Sequence, residues 1–272
     1  MNAILEMQTV ARLTRKDVQE AAAEITDDLA RYLVDYYYLS QEDRKRAHDQ
    51  KRAMAEGAEP AAVIGWLASQ AETIEGQIKR VLDRYTESHP MGNWMREVHG
   101  IGPVISAGLL AHIDITKAPT VGHIWRFAGL DPTVRWGSGE KRPWNAKLKT
   151  LCWKAGQSFM KSHNDERCYY GHIYRQRKDY EIARNDRGDN QPLAAELLPR
   201  IGRSTEAYKH LAEGKLPPGQ IDARARRYAV KQFLADMHGE WYRLHFGAEP
   251  PLPYPIAILG HAHLRDPRAS GD

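Results

Sequence analysis

Only two cysteines, Cys152 and Cys168, occur in 272 residues, too few for a disulfide scaffold, and free thiols in a reducing compartment are expected. No stretch approaches the roughly 18 consecutive apolar residues of a membrane span, so no membrane partner is expected. The opening Met1-Asn2-Ala3-Ile4-Leu5-Glu6 lacks a basic start followed by an apolar stretch, so no secretory signal is expected and localisation reads as cytoplasmic. Internal repeats are absent, and so is any alternating apolar and polar pattern long enough to build a sheet. What remains is an ordinary globular composition, 42% hydrophobic and 27% charged, with negative mean hydropathy. The length supports one large domain or two modest ones without staples.

The net charge of +4 is unevenly spread. Residues 1–90 carry 12 Lys/Arg against 16 Asp/Glu, residues 91–184 carry 15 against 8, and residues 185–272 carry 12 against 11. A basic middle between an acidic front and a near-neutral tail points to a polyanion as partner. DNA is the first candidate and RNA the second; a solvated basic face is the plain alternative.

Periodicity gives a mainly α chain in four parts. Residues 1–90 read as a helical arm or bundle, with Leu29, Leu33 and Tyr36 at helical spacing and Ser40 or Asp43 as caps of a following charged helix. A longer helix is expected from about Pro60 to Ser88, with Leu67, Ala71, Ile74, Ile78 and Val81 as its stripe and Pro90 ending it. Residues 91–184 form the basic core. Residues 185–222, rich in Gly and Pro, read as a loop-rich connector with one or two short helices. Residues 223–272 form an amphipathic helix, with Val230, Phe233, Leu234, Met237, Trp241 and Leu244 on one face, followed by an extended proline-rich tail.

The densest signals lie in the core. Met95 to Leu110 reads as a short helix, a turn through Gly100-Ile101-Gly102, and a second helix opened by Pro103. Both glycines are expected to serve unusual backbone angles or close approach, with Val98, Val104, Ala107 and Leu110 as the hairpin core. Free amides at the start of the second helix, backed by its dipole, suit a phosphate; an ordinary helical corner without a ligand is the alternative. The apolar-Gly-apolar-Gly spacing resembles the helix-hairpin-helix motif of DNA-repair and recombination proteins.

Beyond it, Asp131-Pro132 makes a turn, and a Gly137-Ser138-Gly139 loop follows, flanked by Arg135, Lys141 and Arg142. A helix from Pro143 buries Trp144, Leu148, Leu151, Cys152, Ala155 and Phe159. Lys147, Lys154 and Lys161 recur every seventh residue on it, and this interval drifts only about 20° on a helix, so they form one cationic stripe able to follow a phosphate backbone. Trp136, in the loop, is positioned to stack on a base or wedge into a duplex.

The run from His99-Gly-Ile-Gly-Pro103 through Phe127-Ala-Gly-Leu-Asp-Pro-Thr-Val-Arg135 to Ser138-Gly139 and Asn145-Ala-Lys-Leu-Lys-Thr-Leu-Cys-Trp-Lys-Ala155 resembles the C-terminal domain of bridge-RNA-guided insertion-sequence transposases, relatives of the Piv-type DNA invertases. The resemblance covers about residues 91–162. It implies a DNA-transposition role in which Ser138 attacks a DNA phosphodiester beside Arg135. Metal in that family belongs to a separate nuclease-like N-terminal domain. Two departures stand out: the loop Arg135-Trp-Gly-Ser138 is one residue longer than the family pattern, and the first 90 residues look like the arm joining the family's two halves rather than that nuclease-like domain.

Three readings follow. In the first, the chain is a DNA-binding protein of mobile-element or phage origin, homo-oligomeric through its arm, gripping phosphates through Gly100, Ile101, Gly102, Lys141, Arg142, Lys147, Lys154 and Lys161, with Trp136 as a further DNA-binding residue that stacks or wedges. In the second it is a recombinase using Ser138, and in the third a structural protein with an incidental basic face. An unassisted serine is a weak nucleophile, and nothing adjacent in sequence supplies a base. No cofactor is expected; a divalent metal enters only if a catalytic domain is supplied in trans. No metal ligand set is expected: His163, Cys168 and His172 lack a fourth partner, and Asp131 and Asp165-Glu166 read as turn and cap residues. His261 and His263 in the tail suit a metal or a phosphate equally.

Overall fold

The computed structural model describes residues 8–54 and 61–251. Pro60 and the proline-rich tail with His261 and His263 lie outside them. The chain is mainly α as expected, and among the described residues there is no strand. Two compact units form. One comprises residues up to Arg96 together with Gly102–Asp114, and the other Glu97–Ile101 together with the residues from Ile115 onward.

The first unit is a helical bundle. Helix α1 (Arg15–Ala23) opens on a capping box, in which Thr14 Oγ1 accepts from the Asp17 amide at 3.2 Å and the Asp17 carboxylate accepts from the Thr14 amide at 2.7 Å. Helix α2 (Asp27–Ala53), capped by Thr26, runs on through Ser40 and Asp43, so the expected break there is absent. Ser40 is buried mid-helix. Continuation is favoured because no Gly or Pro interrupts the segment and because Gln41 and Arg44, on the next turn, both reach Glu75 of α3 (Ala61–Glu87) at 3.2 and 2.7 Å. At the other end of the pair Tyr85 donates to Asp27 at 3.2 Å. The pairings 44 with 75 and 27 with 85 make α2 and α3 antiparallel.

The α3 bounds follow the expectation, but its buried face is carried by Ala68, Ile78, Val81, Leu82 and Tyr85; Leu67 is exposed. Pro90, expected only as a stop, is the first residue of a further short helix, α4 (Pro90–Glu97). Helix α5 (Pro103–His112) packs on α2 and α3, with the Arg31 guanidinium donating to the Ala111 carbonyl.

The second unit is built around α6 (Val121–Phe127), α7 (Ala146–Lys161), α8 (Tyr169–Asp186) and α11 (Pro218–Phe246). Helix α7 begins three residues after Pro143, because Asn145 is the residue that caps it, accepting from the Leu148 amide at 2.9 Å. Phe159 of α7, Tyr170 of α8 and Phe233 of α11 form an aromatic cluster with centroids 5.1 to 5.6 Å apart. Val230, Phe233, Leu234 and Met237 of α11 are buried as expected, whereas Leu244 is exposed. Between α8 and α11, short helices α9 (Gln191–Leu197) and α10 (Glu206–Ala212) gather Ala194, Leu211, Leu216 and Ile221 into a small core of their own.

One polar network is deeply buried in this unit. Glu181 of α8, 1% exposed, accepts from Arg177 at 2.5 Å and from Arg224 at 3.2 Å, with Arg184 at 3.8 Å. Arg224 also reaches Asn190 at 3.2 Å. Elsewhere, buried His238 lies 2.7 Å from the Ala118 carbonyl through Nε2, and burial holds its pKa below the ordinary 6.5.

Candidate nucleic-acid interface

The turn joining α4 to α5 assigns its two glycines different work. Gly100 adopts φ +96°, a region L side chains rarely enter, and a Cβ there would lie 3.2 Å from Phe159 Cδ1. Gly102 is extended, with φ −90° and ψ 176°, and has open space where a Cβ would be. The expectation that both glycines meet a backbone or packing demand therefore holds for Gly100 and fails for Gly102.

Gly102 is the N-cap of α5, and it offers no side chain to the helix start. Pro103 has no N–H, and the first helical bond is Ser106 N–H to the Gly102 carbonyl at 3.0 Å. The amides of Val104 and Ile105 thus lack an intrahelical acceptor at the positive end of the helix dipole. Ile101 is buried and its amide is used, donating to the Val98 carbonyl at 2.9 Å. Val104, Ala107 and Leu110 are buried as expected; Val98 is only half-buried. On the α4 side of the turn, His99 Nε2 lies 3.2 Å from Asp165 Oδ2, and Arg167 donates to the same carboxylate, holding it well below the usual carboxylate range. Asp165 is a turn residue, accepting from the Arg167 amide at 3.0 Å.

The loop between α6 and α7 holds the second group of sequence-selected residues. Asp131 accepts from the amide and hydroxyl of Thr133 at 2.9 and 2.7 Å, an Asx turn that leaves it a structural role. Arg135 and Ser138 are exposed. No hydrogen bond to the Ser138 hydroxyl occurs among the described residues. Glu140, in the same loop, accepts from the Gly137 amide at 2.9 Å. Trp136 is partly exposed but anchored: its indole N–H donates to the Glu140 carbonyl at 2.8 Å, Trp144 meets it edge-on at 6.0 Å, and the Arg142 guanidinium lies 5.0 Å above its ring. Trp144, expected in the core, is half-buried. Arg142 and Lys141 remain exposed.

On α7, Lys147 and Lys161 are exposed and Lys154 is half-buried, with its ammonium 5.8 Å from the Trp153 ring. Sequence reasoning passed over Lys149, whose Nζ sits 4.1 Å over Trp144, and over Arg226 and Arg227 of α11, which line a cavity with it. The seven-residue stripe drew attention to one flank of α7; the other is completed by a helix some seventy positions away, which no local pattern announces.

Both thiols are buried and unpaired, and burial pushes Cys152 up to about 12. His163 Nδ1 is engaged with the Met160 carbonyl at 2.6 Å. Among the described residues no group of three or more His, Cys, Asp or Glu could hold a metal ion, and no helix is long and apolar enough to cross a membrane.

A helix start without a side-chain cap suits an anion, and a helix face striped with lysine suits a polyanion. Residues 93–170, under a third of the chain, match the model of the transposase IS116/IS110/IS902 family. The match runs from α4 through α7 into the first turn of α8, and it contains the glycine turn, the serine loop and the lysine stripe. It supports a transposase-like, DNA-related function. No curated protein and no solved structure matches the chain.

Proposed function

We propose that the chain binds DNA through its sugar–phosphate backbone, as the DNA-handling part of a transposase-like system of mobile-element or phage origin. The observation that carries this is the coincidence of the transposase-family match with the basic third of the sequence. Gly102 adds to it, because neither its backbone angles nor its surroundings demand glycine, while a phosphate approaching the α5 amides would. In the second unit Lys141, Arg142, Lys147, Lys154 and Lys161 supply charge for phosphate contacts of their own, and backbone contacts of this kind position a duplex without reading its bases. Trp136 is the base-stacking residue in this reading.

The test is Gly102→Asp. An aspartate is a favoured N-cap and would leave α5 as stable or more so, yet its carboxylate would occupy the amides and repel phosphate. Fluorescence anisotropy with a short duplex at low salt is expected to show weaker binding by about tenfold, with unfolding temperature unchanged or raised. Equal binding by both proteins would remove the turn from the interface.

A second reading is favoured by one observation, the exposed and unbonded Ser138 hydroxyl beside exposed Arg135. Here Ser138 Oγ attacks the phosphorus of a DNA phosphodiester, forming a serine–phosphate bond as the P–O bond to one deoxyribose breaks and that sugar leaves as a free hydroxyl. The base that takes the serine proton, and any divalent metal, arrive in trans, as the resemblance to bridge-RNA-guided transposases implies, and a guide RNA would then be a further partner. A covalent protein–DNA adduct formed by the wild type with a nuclease-like partner present, and lost in Ser138→Ala, is its signature. Homo-oligomerisation is assigned to the first unit, where Leu29, Tyr32, Tyr36 and Leu39 form one exposed stripe along α2.

A further inference from the structure

Helices α7 and α11 enclose a cavity of about 160 Å³ within the second unit. Its walls are apolar, with Leu130 at one side, Val230 behind and the half-exposed Trp153 at the rim. Gly156 lets the helices close over it, since a Cβ there would stand 3.1 Å from Val230 Cγ2. Three cations line the same cavity: Lys149 from α7, Arg226 and Arg227 from α11. Among the described residues no carboxylate lines it. The nearest compensation is Asp222, 2.7 Å from Arg226 Nε but shared with Tyr174 and Lys178. Arg226 Nη1 is buried and makes no hydrogen bond among the described residues.

An apolar chamber rimmed by excess positive charge selects a ligand with a flat apolar part and an anionic part. The chamber is close to the roughly 150 Å³ at which an apolar cavity accepts a single six-membered aromatic ring. We propose that this cavity binds a pyrimidine nucleotide, its base between Trp153 and Val230 and its phosphate on Lys149, Arg226 and Arg227. Loss of hydration, with repulsion from Arg227 and Arg142 on Lys149 and from Arg224 and Arg226 on Arg227, holds both Lys149 and Arg227 below their ordinary pKa, a tension that a bound phosphate relieves. The choice of a nucleotide among flat anions rests on the DNA-handling reading. The site is distinct from the stripe but borders it: at about 100° per residue, Lys149 lies roughly 120–160° around α7 from Lys147, Lys154 and Lys161, and Trp153, whose ring the Lys154 ammonium meets at 5.8 Å, stands between the two.

The full chain is titrated calorimetrically with thymidine 5′-monophosphate, thymidine, inorganic phosphate, deoxyguanosine 5′-monophosphate and a short oligothymidylate. Thymidine monophosphate is expected to bind more tightly than thymidine, phosphate or the purine nucleotide. Oligothymidylate binding more tightly still identifies a strand as the source; binding no tighter than the monomer identifies a free nucleotide. Lys149→Ala/Arg227→Ala alters exposed side chains and should weaken thymidine monophosphate by about tenfold or more. Ala223→Leu, which fills the chamber, should leave it no tighter than phosphate.

Absence of thymidine monophosphate binding, a purine bound equally well, or wild-type affinity in both variants would overturn the proposal. If that happens while duplex DNA still binds at low salt, only the pocket fails. Loss of duplex binding in the wild type sinks the DNA reading instead.

Discussion

Exchanging the two turn glycines for alanine separates what the fold needs from what a ligand would need. At Gly100, φ +96° imposes about 1–2 kcal/mol on any L side chain. The new Cβ would also press on Phe159 from 3.2 Å. Phe159 is fully buried and wedged against Tyr170 and Phe233 at 5.1 and 5.6 Å, so it has little room to yield, and overpacking adds about 1–2 kcal/mol. The sum, about 2–4 kcal/mol, should lower the unfolding temperature by about 5–10 °C. At Gly102 the N-cap preference for glycine over alanine, about 0.5–1 kcal/mol, is offset by a similar gain from restricting the unfolded chain. Thermal unfolding followed by circular dichroism should therefore show a clear drop for Gly100→Ala and a change within about 0.5 kcal/mol for Gly102→Ala. Equal effects at the two positions, or a stable Gly100→Ala, would refute the division of labour between them.

Removing the Glu181 carboxylate as Glu181→Ala strands the arginines around it and should destabilise by about 3–5 kcal/mol, read by denaturant unfolding. Because burial lowers the His238 pKa below 6.5, the unfolded chain binds the proton first. Stability is then complete above about pH 6.5 and falls as pH drops through that value, and unfolding curves between pH 7.5 and 5 should show a shallower fall for His238→Gln. On α2, Tyr32→Glu/Leu39→Glu should shift sedimentation toward the monomer with little change in unfolding temperature, since both side chains are about 61% exposed.

The sequence made α3, α5 and α11 legible because each carries its own punctuation: Pro103 at the first position of α5, or an apolar stripe as regular as that of α11. Helix α2 was less so. Ser40 looks like a cap in isolation, and the contacts of Gln41 and Arg44 with Glu75 that carry the helix past it come from another element. The same limit explains the site. The glycine turn and the Lys147, Lys154 and Lys161 stripe are local patterns with chemical meaning, whereas the Glu181 network and the cavity of Lys149, Arg226 and Arg227 exist only once α7, α8 and α11 are packed. Gly102 shows the reverse case, since its composition suggested a backbone demand that the extended conformation does not make.

The most direct measurement of the DNA-binding claim is the affinity for a short duplex across a series of salt concentrations, for the wild type and for Lys147→Ala/Lys161→Ala. Tight binding at low salt, a linear fall of log affinity with log salt, and a slope flatter by about two units in the double variant, close to one for each lost phosphate contact, are expected. No detectable binding at low salt, or the same slope in both proteins, would contradict it.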